Sequence, residues 1–403
     1  MAFNTVARRR LMAHLAAAAL LGACGGDDGP ARPPLPVGPT PPGGGVVTRA
    51  VTVTSGLEHP WGLAFLPDGR MLVTERPGRM RIVSADGATQ SDPLTGMPAV
   101  HAAGQGGLLD VAIDPDFATT PWVYWSYAED GVGGSGTAVA RGLLDGTTLD
   151  NVQVIFRQLP KVAVSDIHYG ARLVFGGDKT LFVTLGERGT DDPVAPGFDN
   201  AQSLTNHLGK VVRISRDGSL PQINPNPYVG VTGAQPEIWS IGHRNPQGAA
   251  LNPSTGELWL NEHGPQGGDE VNRIQIGLNY GWPQRSYGCP YGLPPGVQCR
   301  VGGGTHTPNF EEPLDFWEPL STAPSGMMFY TGTQFPEWQN SVFVGALVGM
   351  AVWRLPLQGN DVGAREALFA DLGERIRDVR QGPDGFIYLL TDSANGRIVR
   401  IER

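Results

Sequence analysis

A degenerate two-strand unit recurs along the chain from about residue 48, and it constrains the fold more than any other feature. Each copy contains an alternating apolar strand, a turn resembling Pro-Asp-Gly and a second strand of β-branched or aromatic residues. Such a unit predicts two antiparallel strands joined by a tight turn. The six copies begin at Trp61, Gly107, Tyr169, Gln247, Ser325 and Ile376. These starting points lie roughly 45 to 80 residues apart, which indicates long inserted loops, where functional residues are expected.

Six such units predict an all-β chain folded as a six-bladed β-propeller, with four-stranded antiparallel blades around a central channel. Radial packing buries each sheet against its neighbours and leaves only short edges. The 57 glycines, the 35 prolines and the charged fraction of 17% suit a fold with many turns and few long helices. The alternative is one or two β-sandwiches with accidental similarity between their hairpins.

The N-terminal residues are typical of an export signal. Three arginines at positions 8–10 precede an apolar run over residues 11–21, and the sequence LGAC follows and ends at Cys24. This pattern predicts a signal peptide over residues 1–23 with a lipobox, because the apolar run is short for a permanent membrane span. The alternative is a buried N-terminal helix.

Residues 24–47 form a predicted linker, since they are rich in proline and glycine and have too few large apolar side chains to pack a core. The predicted catalytic propeller domain covers residues 48–403. By resemblance to bacterial lipoproteins, Cys24 becomes the lipidated first residue of the mature chain. We therefore expect a periplasmic or cell-surface protein, monomer or homodimer, attached to the membrane only through this anchor. Gly25 replaces the aspartate that retains some lipoproteins in the inner membrane, which favours the outer membrane.

The net charge of the chain narrows the classes of molecule that it can bind. The chain has 30 Lys and Arg against 39 Asp and Glu, and removal of residues 1–23 takes away three arginines, which gives a net charge of −12. No basic stripe occurs in the sequence, which argues against nucleic acid as a partner.

In an exported chain, Cys289 and Cys299 favour a disulfide. A metal site is the weaker alternative, because no third and fourth soft ligand lie near these cysteines in sequence.

Unusual polar residues stand where the first strand of a copy begins or where its second strand ends. In a propeller these positions cluster at one end of the central channel. The residues concerned include Gln105, His168, Arg244, Asn245, Arg375 and Arg377. A pocket that gathers them suits a planar polyanion, because guanidinium groups bind carboxylates bidentately and stack on aromatic faces. The alternatives are a hydrogen-bonded structural histidine and arginines in salt bridges between blades.

Four strings, in chain order, carry a resemblance to a known family: GQGGLLDVAIDPDF, IGHRNPQG, NEHGPQGGDEVN and GLNYGWP. Over roughly residues 50–403 the chain resembles the PQQ-dependent aldose sugar dehydrogenases and the soluble quinoprotein glucose dehydrogenases. The resemblance implies an oxidoreductase that uses PQQ and Ca²⁺ to oxidise the C1 hydroxyl of aldoses to lactones. It also implies that the electrons pass to an external acceptor.

The same resemblance implies a role for each of the gathered polar residues. His168 matches the general base that takes the proton of the sugar C1 hydroxyl, a task suited to imidazole because its ordinary pKa lies near working pH. Arg244 matches the residue that stabilises the oxyanion developing on the quinone. Further cofactor contacts are implied for Gln105, Asn245, Arg375 and Arg377. The last two residues are two apart and would share a face of one strand.

Calcium sites are also implied by the resemblance. Gly264 and Pro265 match backbone carbonyls that hold the catalytic calcium, a cation that prefers oxygen ligands. A simple turn glycine is the alternative interpretation of Gly264. Glu270 and Tyr280 match a second, structural calcium site, where the alternative is a solvated acidic loop.

One departure from the family pattern concerns a lysine of the glucose dehydrogenase branch that contacts PQQ after the strand written here as SVFVGAL. The sequence continues without lysine through Val348 to Met350. This difference favours the aldose sugar dehydrogenase branch.

Two other functions stay open. One is a calcium-dependent lactonase, which would need carboxylates and asparagine on a channel metal. The other is a non-catalytic sugar- or protein-binding propeller.

Overall fold

The structure, a computed structural model, describes residues 46–403 with the exception of residues 164, 196 and 360. The predicted signal peptide, Cys24 and the linker up to residue 45 lie outside the described residues. Within the described part of the chain, no helix combines the length and apolar content needed to cross a membrane.

The described chain forms six antiparallel blades, which confirms the predicted all-β six-bladed propeller. The inner strands of blades 1 to 6 are β2 (Pro60–Phe65), β5 (Leu108–Ile113), β9 (Gly170–Phe175), β13 (Pro246–Leu251), β17 (Pro324–Phe329) and β22 (Ile376–Gln381). The second strands are β3 (Met71–Glu75), β6 (Trp122–Gly131), β10 (Leu181–Leu185), β14 (Leu258–Glu262), β18 (Ser341–Ala346) and β23 (Ile387–Thr391). The third strands are β4 (Arg79–Val83), β7 (Gly134–Asp145), β11 (Lys210–Ile214), β15 (Asp269–Ile274), β19 (Ala351–Gln358) and β24 (Gly396–Glu402).

The outer strands vary more than the inner ones. Blades 2 to 5 end in β8 (Thr148–Arg157), β12 (Ile238–Ile241), β16 (Asp315–Trp317) and β21 (Glu366–Leu368), and β20 (Asp361–Val362) pairs with the end of β19. Blade 1 has three strands and continues only as a single-residue bridge between Val83 and Gln90. Short 3-10 turns cover Asn200–Gln202, Val297–Cys299, Val301–Gly303, Pro336–Trp338 and Ala370–Leu372.

Blade 6 joins the two ends of the described chain. Strand β1 (Arg49–Leu57) pairs antiparallel with β24, from Arg49 opposite Glu402 to Leu57 opposite Gly396. The inner strands contact one another in chain order, and β22 also contacts β2. The propeller is therefore a closed ring in which the first strand of the described chain completes the last blade.

The hydrophobic core lies between the blades. Each of six clusters of buried side chains combines residues of two successive blades, and the cluster between blades 6 and 1 completes the circle. Between blades 2 and 3, for example, Tyr124 and Val139 pack with Leu173 and Val183. A single blade leaves apolar side chains on both faces, so the ring of six is the arrangement that buries all of them.

A group of four charged side chains, which we name the central ion cluster, ties the inner strands together; Asp110, Arg172 and Asp378 are buried and Arg380 is partly buried. Arg172 Nη1 lies 2.8 Å from Asp110 Oδ1 and 3.3 Å from Asp378 Oδ1. Arg380 contacts the same two aspartates at 3.1 and 2.8 Å. The Arg172 guanidinium also stacks over the Trp61 ring at 4.3 Å. Four blades thus meet in the channel through these contacts.

Each inner strand carries a β-bulge near its first residue, where the register against the second strand shifts. A bulge bends the strand and re-aims its side chains. The six bulges therefore lie at one end of the channel, at the positions where the sequence places its unusual polar residues.

Candidate functional site

The polar residues predicted from sequence meet at this end of the channel. The residues that precede or open an inner strand are Gln105 and His168 at β5 and β9, Arg244 and Asn245 at β13, and Arg375 and Arg377 at β22. Gly264 and Pro265 follow β14, whose antiparallel pairing with β13 returns the chain to the same end.

His168 is buried and held from both its backbone and its ring. Its backbone N–H donates to Gln105 Oε1 at 2.8 Å, and its φ of 54° lies in the left-handed region. Its Nδ1 lies 2.5 Å from Glu187 Oε1. The other Glu187 oxygen accepts hydrogen bonds from the backbone N–H groups of Thr190 and Asp191 at 2.6 and 3.1 Å. The ring is therefore fixed in orientation, with Nε2 as the nitrogen left to face a substrate.

Burial shifts both members of this pair toward their neutral forms. Burial, with the nearby Arg244 and Arg188 cations, holds the pKa of His168 well below its usual range. Burial raises the pKa of Glu187 to about 7, although Arg244 opposes the shift. An ionised Glu187 accepts a hydrogen bond from the Nδ1–H group of His168, which leaves the lone pair on Nε2. A protonated Glu187 donates to Nδ1, which places the ring proton on Nε2. Only the ionised carboxylate leaves His168 Nε2 as a base.

Arg244 is oriented by its backbone as well as its side chain. Its N–H donates to Glu262 Oε2 at 2.7 Å, and its Nη1 donates to Gly264 O at 2.7 Å and to His263 O at 3.2 Å. The guanidinium carbon lies 5.2 Å from the centre of the Trp282 ring. The carbonyl of Gly264, a predicted calcium ligand, thus faces a cationic group in the structure.

Gly264 also satisfies the turn interpretation. A Cβ at this position would lie 2.2 Å from Gly267 O and 2.3 Å from Gly268 O, so a side chain does not fit. The Gly264 N–H donates to Asp269 Oδ1 at 3.0 Å. Gly264 therefore both forms a tight turn and presents its carbonyl to the Arg244 guanidinium.

Asn245 and Arg377 bring buried polar atoms to the site. Asn245 Oδ1 accepts from Gln247 Nε2 at 3.0 Å, and Gln247 Oε1 accepts from Arg377 Nη1 at 3.1 Å. Among the described residues, Asn245 Nδ2 and Arg377 Nε are buried without a hydrogen-bond partner. A buried donor without a partner is costly, so these two N–H groups are suited to donate hydrogen bonds to a polar ligand.

Arg375 and Arg377 both approach the carboxylate of Asp392. Arg377 Nη2 donates to Asp392 Oδ2 at 2.6 Å, and Arg375 Nη2 lies 3.6 Å from the same oxygen. His59 Nδ1 lies 2.9 Å from the other oxygen. Although burial opposes it, this cationic surrounding holds the pKa of Asp392 well below its usual range. The pair is thus a preorganised positive region with one internal counter-charge.

The glucose / sorbosone dehydrogenase family model matches residues 57–400. The chain belongs to this family. The aldose sugar dehydrogenase YliI of Escherichia coli (strain K12) is 44% identical over 349 residues, which cover 86% of this chain and 90% of that protein. The quinoprotein glucose dehydrogenase B of Acinetobacter calcoaceticus is 26% identical over 412 residues, which cover 85% of each protein. A PQQ-bound aldose sugar dehydrogenase structure from Streptomyces coelicolor matches with a TM-score of 0.70 and 30% identity over 88% of this chain and 98% of that one.

The second calcium site predicted for this glucose / sorbosone dehydrogenase family member involves Glu270 and the backbone carbonyl of Tyr280. Burial and the adjacent Glu262 raise the pKa of Glu270 well above its usual range, and Asn272 Nδ2 donates to it at 3.2 Å. The Tyr280 hydroxyl donates to Arg273 O at 2.6 Å, a contact that does not involve the carbonyl predicted as the ligand. Within the described residues, no group of three or more His, Cys, Asp or Glu side chains is arranged to hold a metal.

Several site residues of this family member were missed by sequence reasoning. Glu187 follows β10, Asp392 follows β23 and Glu262 ends β14, so each acidic residue stands where a second strand reaches the channel end. That shared position was the available signal. Glu262 and His263 were noticed only as part of one motif. Burial lowers the pKa of His263 to about 3, and its Nε2 donates to Pro324 O at 2.7 Å.

Two further expectations have direct structural outcomes. Cys289 and Cys299 form a disulfide, as predicted, with Cα atoms 5.1 Å apart. The turn that lacks the lysine of the glucose dehydrogenase branch joins β18 to β19 at the site end of blade 5, where Val348 N donates to Thr322 O at 3.1 Å. The turn without the lysine thus lies beside the candidate site.

Proposed function

We propose that this protein oxidises the C1 hydroxyl of aldoses to lactones in a reaction that requires PQQ and Ca²⁺ and delivers electrons to an external acceptor. The observation that carries the proposal is the His168–Glu187 pair, which lies near the Arg244 cation at the channel end of a glucose / sorbosone dehydrogenase family member. Membership of this family, with relatives named aldose sugar dehydrogenase and quinoprotein glucose dehydrogenase, supports the same substrate class.

The residues present fit both cofactors. Two buried donors lack a partner in the part of the chain that the structure describes, Asn245 Nδ2 and Arg377 Nε. They suit the oxygens of a planar tricarboxylate such as PQQ, with Gln105, Arg244 and Arg375 as further contacts. The carbonyls of Gly264 and Pro265 suit a hard cation such as Ca²⁺.

The second calcium site also has support from this structure. Buried Asn272 Oδ1 has no hydrogen-bond partner among the described residues, and Asn272 Nδ2 reaches both Glu262 and Glu270. Two adjacent buried carboxylates with a free amide oxygen form a site that a cation would neutralise. We therefore assign Glu270 to this site, with the Tyr280 carbonyl as its expected further ligand.

The chain's own residues supply binding, orientation and proton transfer. His168 Nε2 takes the proton of the C1 hydroxyl, and Glu187 stabilises the imidazolium that results. Arg244 directs positive charge at the position where negative charge develops. When bound at these residues, PQQ would supply the hydride acceptor and calcium would supply a Lewis acid for the quinone.

The test is reconstitution of the chain without its first 24 residues. We expect dye reduction with aldoses only after both PQQ and Ca²⁺ are added, and we expect a calcium chelator to abolish it. Each of the two additions alone is the control. If a folded protein reduces no dye with any aldose after both additions, the sugar dehydrogenase proposal is wrong, and a sugar-binding or lactone-hydrolysing propeller takes its place.

A pH profile tests the role of Glu187. Because its pKa is raised to about 7 and its ionised form is required, we expect kcat/KM to rise with pH through about 7 and to be lost as pH falls below it. Glu187→Gln removes this titration, so the profile should flatten, and kcat at about pH 8 should fall roughly ten- to a hundredfold. Buffer-independent initial rates measure both effects. A limb near pH 7 that persists in the variant would assign the titration to another group, such as the neighbouring Asp191.

We also propose that the protein is exported and anchored at the membrane by lipidation of Cys24, on the periplasmic or cell-surface side. The disulfide between Cys289 and Cys299 supports export, since such bonds persist in oxidising compartments. Metabolic labelling with a fatty acid, compared between the full chain and Cys24→Ser, tests the anchor. Equal labelling of the two chains would contradict it.

A further inference from the structure

The disulfide closes a loop over residues 289–299, the cystine loop, which packs on the turn that carries Gly264. Gln266 and Cys289 exchange two backbone hydrogen bonds of 3.0 Å, and Gln266 Nε2 donates to Leu293 O at 3.0 Å. A Cβ at Gly288 would lie 2.2 Å from Gly267 O, so the two backbones touch directly. The cystine loop is therefore attached to the functional site and not merely near it.

Tyr291 projects from this loop toward the site. Its hydroxyl lies 3.5 Å from Arg244 Nη2, while 41% of the residue remains exposed. Arg244 in turn donates to Gly264 O at 2.7 Å. The phenol ring thus stands beside the reacting centre with part of its surface open, on a loop whose ends are joined covalently.

We infer that Tyr291 is a substrate-binding residue that forms one wall of the sugar site, and that the disulfide holds it there. This inference rests on the proposed function. A pyranose has a C–H face that is apolar, and an aromatic residue that is 41% exposed beside the site is a suitable partner for it. Because the ring contacts the sugar in the ground state and the transition state alike, it contributes mainly to KM.

Three variants measure separately how the Tyr291 ring, its hydroxyl and the disulfide contribute to KM. Tyr291→Ala should raise KM for monosaccharide aldoses roughly three- to tenfold with kcat within about twofold, because it removes one aromatic contact. Tyr291→Phe keeps the ring and should keep KM within about twofold of the parent. The double variant Cys289→Ser with Cys299→Ser should raise KM as Tyr291→Ala does. Val297→Ala, on the same loop and 59% exposed, is the matched control and should leave KM unchanged.

A binding measurement complements the kinetics. Calorimetric titration of the product lactone, which is not turned over, into the protein loaded with PQQ and Ca²⁺ should show the same order of affinities. If the parent oxidises aldoses but Tyr291→Ala keeps the parent KM and lactone affinity, the inference is overturned while the proposed function stands. Equal losses in Tyr291→Phe and Tyr291→Ala would also overturn it. If the parent neither oxidises aldoses nor binds the lactone, both fail together.

Discussion

Replacing His168 with glutamine is expected to lower kcat for aldose oxidation by about 10²- to 10⁴-fold while leaving the affinity for PQQ nearly unchanged. Glutamine can still donate a hydrogen bond to Glu187, but it has no nitrogen that accepts a proton at working pH. The contacts assigned to PQQ come instead from Gln105, Asn245 and the arginines. Stopped-flow measurement of the reductive step, together with a PQQ titration, tests both halves of the expectation.

The matched control is His207→Gln. His207 is also a buried histidine, with its Nε2 3.3 Å from Glu237, but it contacts none of the predicted site residues through its ring hydrogen bonds. We expect this variant to lose some stability and to keep its turnover. Unchanged turnover in His168→Gln would remove the residue from the role of base, and an equal loss in both variants would point to a general effect of buried histidines.

Replacing Arg172 with methionine is expected to lower the free energy of unfolding by about 3–5 kcal/mol, the usual cost of removing one partner from a buried ionic network. The change leaves Arg380 alone with two buried aspartates, Asp110 and Asp378, which Arg172 now contacts at 2.8 and 3.3 Å. It also removes the stacking on Trp61. Chemical denaturation followed by far-UV circular dichroism and tryptophan fluorescence measures the loss.

Arg70→Met provides the control for this second expectation. Arg70 pairs with Asp68 at 2.8 Å, but both side chains are about half exposed, so the loss should not exceed about 1 kcal/mol. Similar losses in the two variants would show that the central ion cluster contributes no more than a surface pair. The stability of the central ion cluster bears on function, because β5, β9 and β22 carry the cluster residues and also begin at or beside the predicted site residues.

The blades were predictable because their information is local. Alternation with a period of two, turn residues and β-branched strands define a hairpin within about 20 residues, and all six copies coincide with the first and second strands of a blade. The outer strands were less predictable. Blade 1 lacks a full fourth strand, and β1 belongs to a blade whose other strands lie more than 300 residues away.

The site was predictable in part for the same reason. Polar residues at strand starts stand out against an apolar pattern, and the motifs around His168, Arg244 and Gly264 could be compared with a known family. Their partners could not be found in this way. Glu187 and Asp392 follow second strands, but only the structure shows which side chains they contact, and Tyr291 lies in a loop without a recognised motif. The contacts that define these residues are made with other strands and loops.

The number of blades, the end of the channel that carries the candidate site, and the residues that resemble a quinoprotein site could be predicted from the sequence, because hairpin geometry and motif chemistry depend on neighbouring residues. Tertiary structure alone decided the closure of the ring by β1, the central ion cluster, and the opposed pKa shifts of His168 and Glu187. These features depend on desolvation and on distances between residues far apart in the chain. Such quantities exist only once the blades have packed around the channel.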